Sequence, residues 1–97
     1  MVYAASKGGI VSMSRGLARA WASENVRVNT VAPGFVDTAM MRSGMSEQQL
    51  TDAVSAVPMG RLADPVEVAQ AVTFLLAPSS SYMTGTTMNV SGGQLMY

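Results

Sequence analysis

Apolar positions at the start of the chain recur at three- and four-residue intervals, with Ile10, Met13, Leu17 and Trp21 in step, and this spacing predicts a helix over about Ala4 to Ser23. Gly8, Gly9 and Gly16 each weaken the interior of that helix by up to about 1 kcal/mol. Such a helix is expected either to lie close against a neighbouring backbone or cofactor, or to be a poor helix that packing rescues. Asn25 stands where the helix should stop, since asparagine tolerates the left-handed conformation that ends helices. Val26 to Ala32 is rich in β-branched residues and reads as a strand, closed by Pro33-Gly34.

Ser46 with Gln49 three residues later forms a capping box for a short helix through about Val54. Asp64, Pro65 and Glu67 form a stronger start, because proline suits the first helical position and the acidic side chains sit at the positive end of the helix dipole. Val68, Ala69, Val72, Leu75 and Leu76 give this helix an apolar face, and Pro78 stops it. Ser79 to Gly85 is a loop, and a last strand runs from about Thr86 to Val90. A strand, a long helical crossover and a second strand imply a parallel pair with a right-handed connection. The pattern as a whole is α/β: a helix, then β-α-α-β, in one domain over residues 1–97. A strand expected before the first helix does not occur in the chain.

Composition narrows the picture. The 97 residues are 48% apolar and 12% charged, which favours a folded chain over a disordered one and leaves much apolar surface for a small body to hide. Six basic and six acidic residues are scattered without a basic stripe, so nucleic-acid binding has no support. With neither cysteine nor histidine present, disulfides, thiolate chemistry and histidine-held metals are excluded, and no metal site is expected. Apolar runs are far shorter than the roughly 18 residues a membrane helix needs, so neither membrane nor secretion is indicated and a cytoplasmic location is expected.

Tyr3 and Lys7 are four residues apart, one turn apart on the same helical face. An ammonium so placed favours the ionised form of a phenol, as an acid/base working at a carbonyl or alcohol requires. The pair on its own is common on exposed helical turns. It is followed by Val26-Arg27-Val28-Asn29-Thr30-Val31-Ala32-Pro33-Gly34-Phe35-Val36-Asp37-Thr38, then Pro58-Met59-Gly60-Arg61, Asp64-Pro65-Val66-Glu67-Val68-Ala69 and Gly85-Thr86-Thr87-Met88-Asn89-Val90-Ser91-Gly92-Gly93. With these motifs in this order, the chain resembles the C-terminal portion of a classical short-chain dehydrogenase/reductase. Within that family it is nearest in character to 3-oxoacyl-carrier-protein reductases and glucose-dehydrogenase-like members.

The resemblance implies a partial Rossmann-like fold, the C-terminal half of a doubly wound parallel sheet, and an NAD(P)-dependent oxidoreductase acting on alcohols or carbonyls. It implies Tyr3 as the acid/base and Lys7 as its partner and a ligand of the nicotinamide ribose. Pro33 and Gly34 would bring backbone close to the nicotinamide, Val36 would offer main-chain groups to the carboxamide, and Thr38 a hydroxyl near the diphosphate. Asp37 could be read as a carboxylate toward the substrate, but a solvated loop residue is the favoured reading. Residues 39–59, with Met40, Met41, Met45 and Met59, would cover the substrate, or serve as ordinary core or an exposed face.

One departure bears on activity. A dinucleotide site of this type needs a glycine-rich turn after a first strand, and neither G-x-x-x-G-x-G nor G-x-G-x-x-G occurs in the 97 residues. The family's catalytic serine and asparagine would lie before Tyr3. The isolated chain is therefore expected not to bind NAD or NADP, and to act as part of a larger site, as a C-terminal half that complements a separate N-terminal half, or as a non-enzymatic oligomeric module. A strand edge without a partner and an uncovered helix face point to a homo-oligomer, a dimer or tetramer, with Gly92 to Tyr97 as a tail at a subunit interface.

Overall fold

A computed structural model describes the backbone over residues 2–95 and side chains from Ala5 onward. The first helix, α1 (Val2–Trp21), is extended by one 3-10 turn (Ala22–Glu24) and ends at Asn25 in the left-handed conformation, φ 61°. The Asn25 amide donates to the Ala22 carbonyl at 3.1 Å, which closes the helix as the sequence predicts. There follow β1 (Thr30–Pro33), α2 (Ala39–Ser43), α3 (Glu47–Ser55), α4 (Pro65–Leu76), a 3-10 turn (Pro78–Ser80) and β2 (Thr87–Val90). The two strands pair in parallel, Thr30 opposite Thr87 and Pro33 opposite Val90.

Both predicted capping boxes form. The Ser46 hydroxyl accepts the Gln49 amide at 3.1 Å while the Gln49 side chain accepts the Ser46 amide at 2.9 Å. Asp64 and Glu67 repeat the exchange at the head of α4, with Pro65 at its first position. The helix–β–α–α–β order holds with one element more: α2 is started by the Thr38 hydroxyl, which accepts the Met41 amide, and stopped after Ser43.

The first strand is shorter at its start than its β-branched content implies. Val26 to Asn29 run outside the ladder because side chains take over its hydrogen bonds. The Val28 amide donates to the Thr84 hydroxyl at 3.1 Å, and Asn29 accepts the Thr86 amide and donates to the Met83 carbonyl, both at 3.0 Å. Gly85, at φ 74°, bends the incoming chain so that regular pairing begins at Thr30. Arg27 joins this junction, its guanidinium donating to the carbonyls of Leu75, Ser80 and Met83 and so capping the C-terminal end of α4.

Packing around this frame is thin. Among the described residues the buried apolar side chains are Val11, Ala18, Ala53, Val57 and Leu75. Ile10, Met13, Trp21, Val72, Phe74 and Leu76 are exposed. The accessible surface is 6661 Å², against roughly 5,300 Å² for a compact monomer of this mass. The radius of gyration is 15.5 Å, where roughly 12.5 Å is usual at this length. Among the described residues, a side chain built on Gly8, Gly9 or Gly16 meets nothing within 4 Å. No described helix is long and apolar enough to cross a membrane, and no cluster of acidic side chains among the described residues could hold a metal.

Candidate functional site

Both strands deliver their carboxyl ends to the same side of the molecule, the place where open α/β sheets take ligands. β1 runs into Gly34-Phe35-Val36-Asp37-Thr38 and β2 into Ser91-Gly92-Gly93-Gln94, and the two segments interlock. The Gly34 amide donates to the Val90 carbonyl at 3.0 Å, carrying the ladder one residue past β1. The Phe35 carbonyl then accepts the Ala63 amide at 3.0 Å, and the Asp37 amide donates to the Ala63 carbonyl at 2.8 Å, so that Val36 forms a parallel bridge with Ala63. A residue bridged in this way turns its own N–H and C=O to the opposite side. The main-chain groups of Val36 therefore face away from Ala63.

Gly34 has an internal reason to be glycine. A side chain on it would begin 2.9 Å from Gln94 Oε1 and 3.0 Å from both Cα and Cβ of Ser91. Pro33 is exposed at the end of β1. Thr38 is half-buried, and its hydroxyl serves as the cap of α2, which leaves its O–H free to turn toward a further acceptor. Asp37 is not merely solvated: Arg42 grips it through two hydrogen bonds, Nη2 reaching Oδ2 at 2.8 Å. The guanidinium holds the Asp37 carboxyl below the usual aspartate range.

Lys7 is half-buried on α1 and lines a cleft of about 60 Å³ with Ile10, Val11, Thr30, Val31 and Ala32. Lys7 thus shares a cleft with the strand that leads directly into the 33–38 loop. Tyr3 lies on the first turn of α1, and its side chain is outside the described residues, as are Met96 and Tyr97 of the tail. A larger cleft, about 240 Å³, opens on Phe35, Met59, Ala63, Val90 and the pair Arg61–Glu67, and Lys7 does not line it. Arg61 binds Glu67 through two contacts of 2.7 and 2.9 Å, and that pairing, with the Asp64 amide, lowers the Glu67 carboxyl from 4.5 to about 2. Of the methionines expected to cover a substrate, Met40 and Met59 are well exposed, while Met41 and Met45 are half-buried.

The site has members that motif reading missed. Gln94 reaches across 59 positions to accept the Phe35 amide, and Ser91 locks the turn that carries it. The paired glycines at 92 and 93 mark the turn, but the target of Gln94 has no local signature.

The family model described as enoyl-(acyl carrier protein) reductase matches residues 1–94. The 3-oxoacyl-(acyl-carrier-protein) reductase FabG of Vibrio cholerae is 47% identical over 94 residues, 97% of this chain and 38% of the relative. Its namesake from Salmonella typhimurium is 46% identical over 94 residues, with the same coverage of each chain. A tropinone reductase homolog of Arabidopsis thaliana is 41% identical over 93 residues, 95% of this chain and 35% of the relative. The chain thus spans little more than a third of the length of these relatives.

Proposed function

The chain belongs to the short-chain dehydrogenase/reductase family, and from that premise we propose that it supplies the proton-handling and nicotinamide-facing part of an NAD(P)-dependent oxidoreductase acting on carbonyls or alcohols. One observation carries the reading: Lys7 lines one cleft with Thr30, Val31 and Ala32 of β1, whose carboxyl end passes into the Pro33 to Thr38 loop at the ligand-binding end of a parallel pair. The relatives named above make a 3-oxoacyl thioester the first carbonyl to try.

The residues present fit the nicotinamide end of a dinucleotide. Val36 turns a donor and an acceptor away from its bridge with Ala63, as an amide-bearing ring would require, and Lys7 stands beside the strand that leads there. Thr38 keeps a hydroxyl hydrogen to donate. A bound nicotinamide would give or take a hydride. Tyr3 would pass its phenolic proton to the substrate oxygen during reduction and recover it during oxidation, with the Lys7 ammonium one turn away favouring the charged phenolate between. The diphosphate end needs a glycine-rich turn, which does not occur among these 97 residues. That turn would come from a complementary N-terminal part, whose strand pairs with the free edge of β1. A cytoplasmic setting belongs to the same proposal.

A second reading, a non-enzymatic oligomeric module, draws on the excess accessible surface and on the exposed Ile10, Met13 and Trp21 of α1. NADH and NADPH fluorescence titrations separate the two. The chain alone is expected to leave the emission unchanged and to bind once the glycine-rich βαβ portion of a relative is supplied in trans. Failure to bind with that complement, from a chain that forms a discrete oligomer by itself, would favour the module.

A further inference from the structure

The turn that follows β2 is fixed more firmly than its position near the chain end suggests. Ser91 is 7% exposed, and its hydroxyl donates to the Leu95 carbonyl at 2.8 Å while accepting the Leu95 amide at 3.1 Å. Gly92 and Gly93, at φ 60° and 92°, reverse the chain in the left-handed region that glycine occupies without strain. The Gly92 carbonyl accepts the Met59 amide at 3.0 Å, and the Gln94 amide donates to the Ser91 carbonyl at 3.1 Å. From this braced turn the Gln94 side chain crosses to the loop after β1. There β2 takes the Gly34 amide and Ala63 takes the Phe35 carbonyl and the Asp37 amide, which leaves the Phe35 amide to Gln94 Oε1, at 3.3 Å. The same oxygen fills the space a side chain on Gly34 would need.

We infer that Gln94 is a positioning residue: by holding the peptide that joins Gly34 to Phe35, it straps the Gly34 to Thr38 loop to the end of β2 and sets the direction of the Val36 amide. This inference rests on the reading of that loop as the nicotinamide-facing one. The Gly34–Phe35 plane under the strap is joined through the Phe35 Cα to the Phe35–Val36 plane, which carries the Val36 amide, so a tilt in the first is passed to the groups that would meet the carboxamide. A side-chain acceptor suits the task because its strength depends on its chemistry rather than on the volume it fills.

The test uses Gln94→Leu, which removes the acceptor at similar size, and Gln94→Glu, which keeps an oxygen at the same reach. Amide exchange is followed by NMR on the 97-residue chain, with the ladder amides of Ala32 and Met88 as the check that the fold persists. Loss of one net hydrogen bond corresponds to a change of about three- to tenfold. Phe35 exchange is expected to rise by that factor in Gln94→Leu and to return toward its original rate in Gln94→Glu. With the glycine-rich portion supplied in trans, the NADH dissociation constant should rise in parallel in Gln94→Leu and recover in Gln94→Glu. Unchanged Phe35 exchange in Gln94→Leu overturns the strap, and altered exchange with unaltered NADH affinity overturns its positioning role. If the unsubstituted chain and its complement bind no NADH, the oxidoreductase reading falls, and the exchange data still judge the strap.

Discussion

Replacing Gly34 with alanine tests the interlock of the two loops in a single step. The added methyl would sit 2.9 Å from Gln94 Oε1 and 3.0 Å from Ser91 Cα and Cβ, where roughly 3.5–4.0 Å is comfortable. Gln94 can swing away only by releasing the Phe35 amide, a loss of about 0.5–1.5 kcal/mol. Ser91 cannot retreat as cheaply, since it is buried and its hydroxyl is bonded both to and from Leu95. Overpacking of this kind costs about 1–3 kcal/mol, and the stiffer unfolded chain returns about 0.4–1 kcal/mol. The net expectation is destabilisation by about 1–3 kcal/mol, or about 4–20 °C in Tm for a chain of this length. Urea unfolding followed by circular dichroism should show a lower midpoint at unchanged slope. Gly16→Ala is the matched control. Its methyl meets nothing within 4 Å, and in a helix interior the change should stabilise the monomer by about 0.5–1 kcal/mol. A neutral or stabilising Gly34→Ala would show that Ser91 and Gln94 do not hold the Gly34 backbone this closely.

Arg27→Met should cost about 1.5–3 kcal/mol, the scale for a charged hydrogen-bonding group. The cost stays below that of the separate bonds summed, because the Leu75, Ser80 and Met83 carbonyls each keep another donor. Arg27→Lys should not restore it, since one ammonium cannot reproduce the fork; full rescue in thermal unfolding would contradict this. The Glu67 carboxyl is lowered from 4.5 to about 2, so the stability it contributes is whole above pH 4.5 and is lost as pH falls toward 2. Glu67→Gln should flatten the acid limb of an unfolding titration over that window, at low salt most clearly, and superimposable curves would count against it. The chain should sediment as a dimer or tetramer at micromolar concentration, and a single 10.1 kDa species would remove the oligomer. If α1 packs closely on its copy, Gly16→Ala should weaken that assembly even as it stabilises the monomer.

Much of the fold was legible because its signals are local. Each capping box needs a partner three residues away, Asn25 ends α1 by its own backbone preference, and Pro78 interrupts α4 by lacking a donor. The start of β1 was not legible. Val26 to Asn29 have strand-like composition, but Arg27, Val28 and Asn29 are bonded to Met83 and Thr84 more than fifty residues away, and composition does not encode such contacts. The helix α2 is short and has only the Thr38 hydroxyl as its start signal, a group that serves equally for ligand chemistry. In the site, the four-residue spacing of Tyr3 and Lys7 and the Pro33-Gly34 turn could be read directly. The use of Gly34 to admit Ser91 and Gln94 depends on the two strand ends meeting, which appears only once the parallel pair is formed.

On the proposed reading, this chain brings the acid/base and the nicotinamide-facing loop to an oxidoreductase site completed by an N-terminal part that carries both the glycine-rich turn and the family's serine and asparagine. The most direct measurement is NADPH oxidation with a 3-oxoacyl thioester, using the chain together with that part of a relative, before and after Tyr3→Phe. Removing a general acid typically costs about a hundredfold or more in rate, so turnover should need both pieces and fall by at least that factor in the variant, with NADPH affinity little changed. Turnover that persists within a few-fold in Tyr3→Phe would contradict that reading.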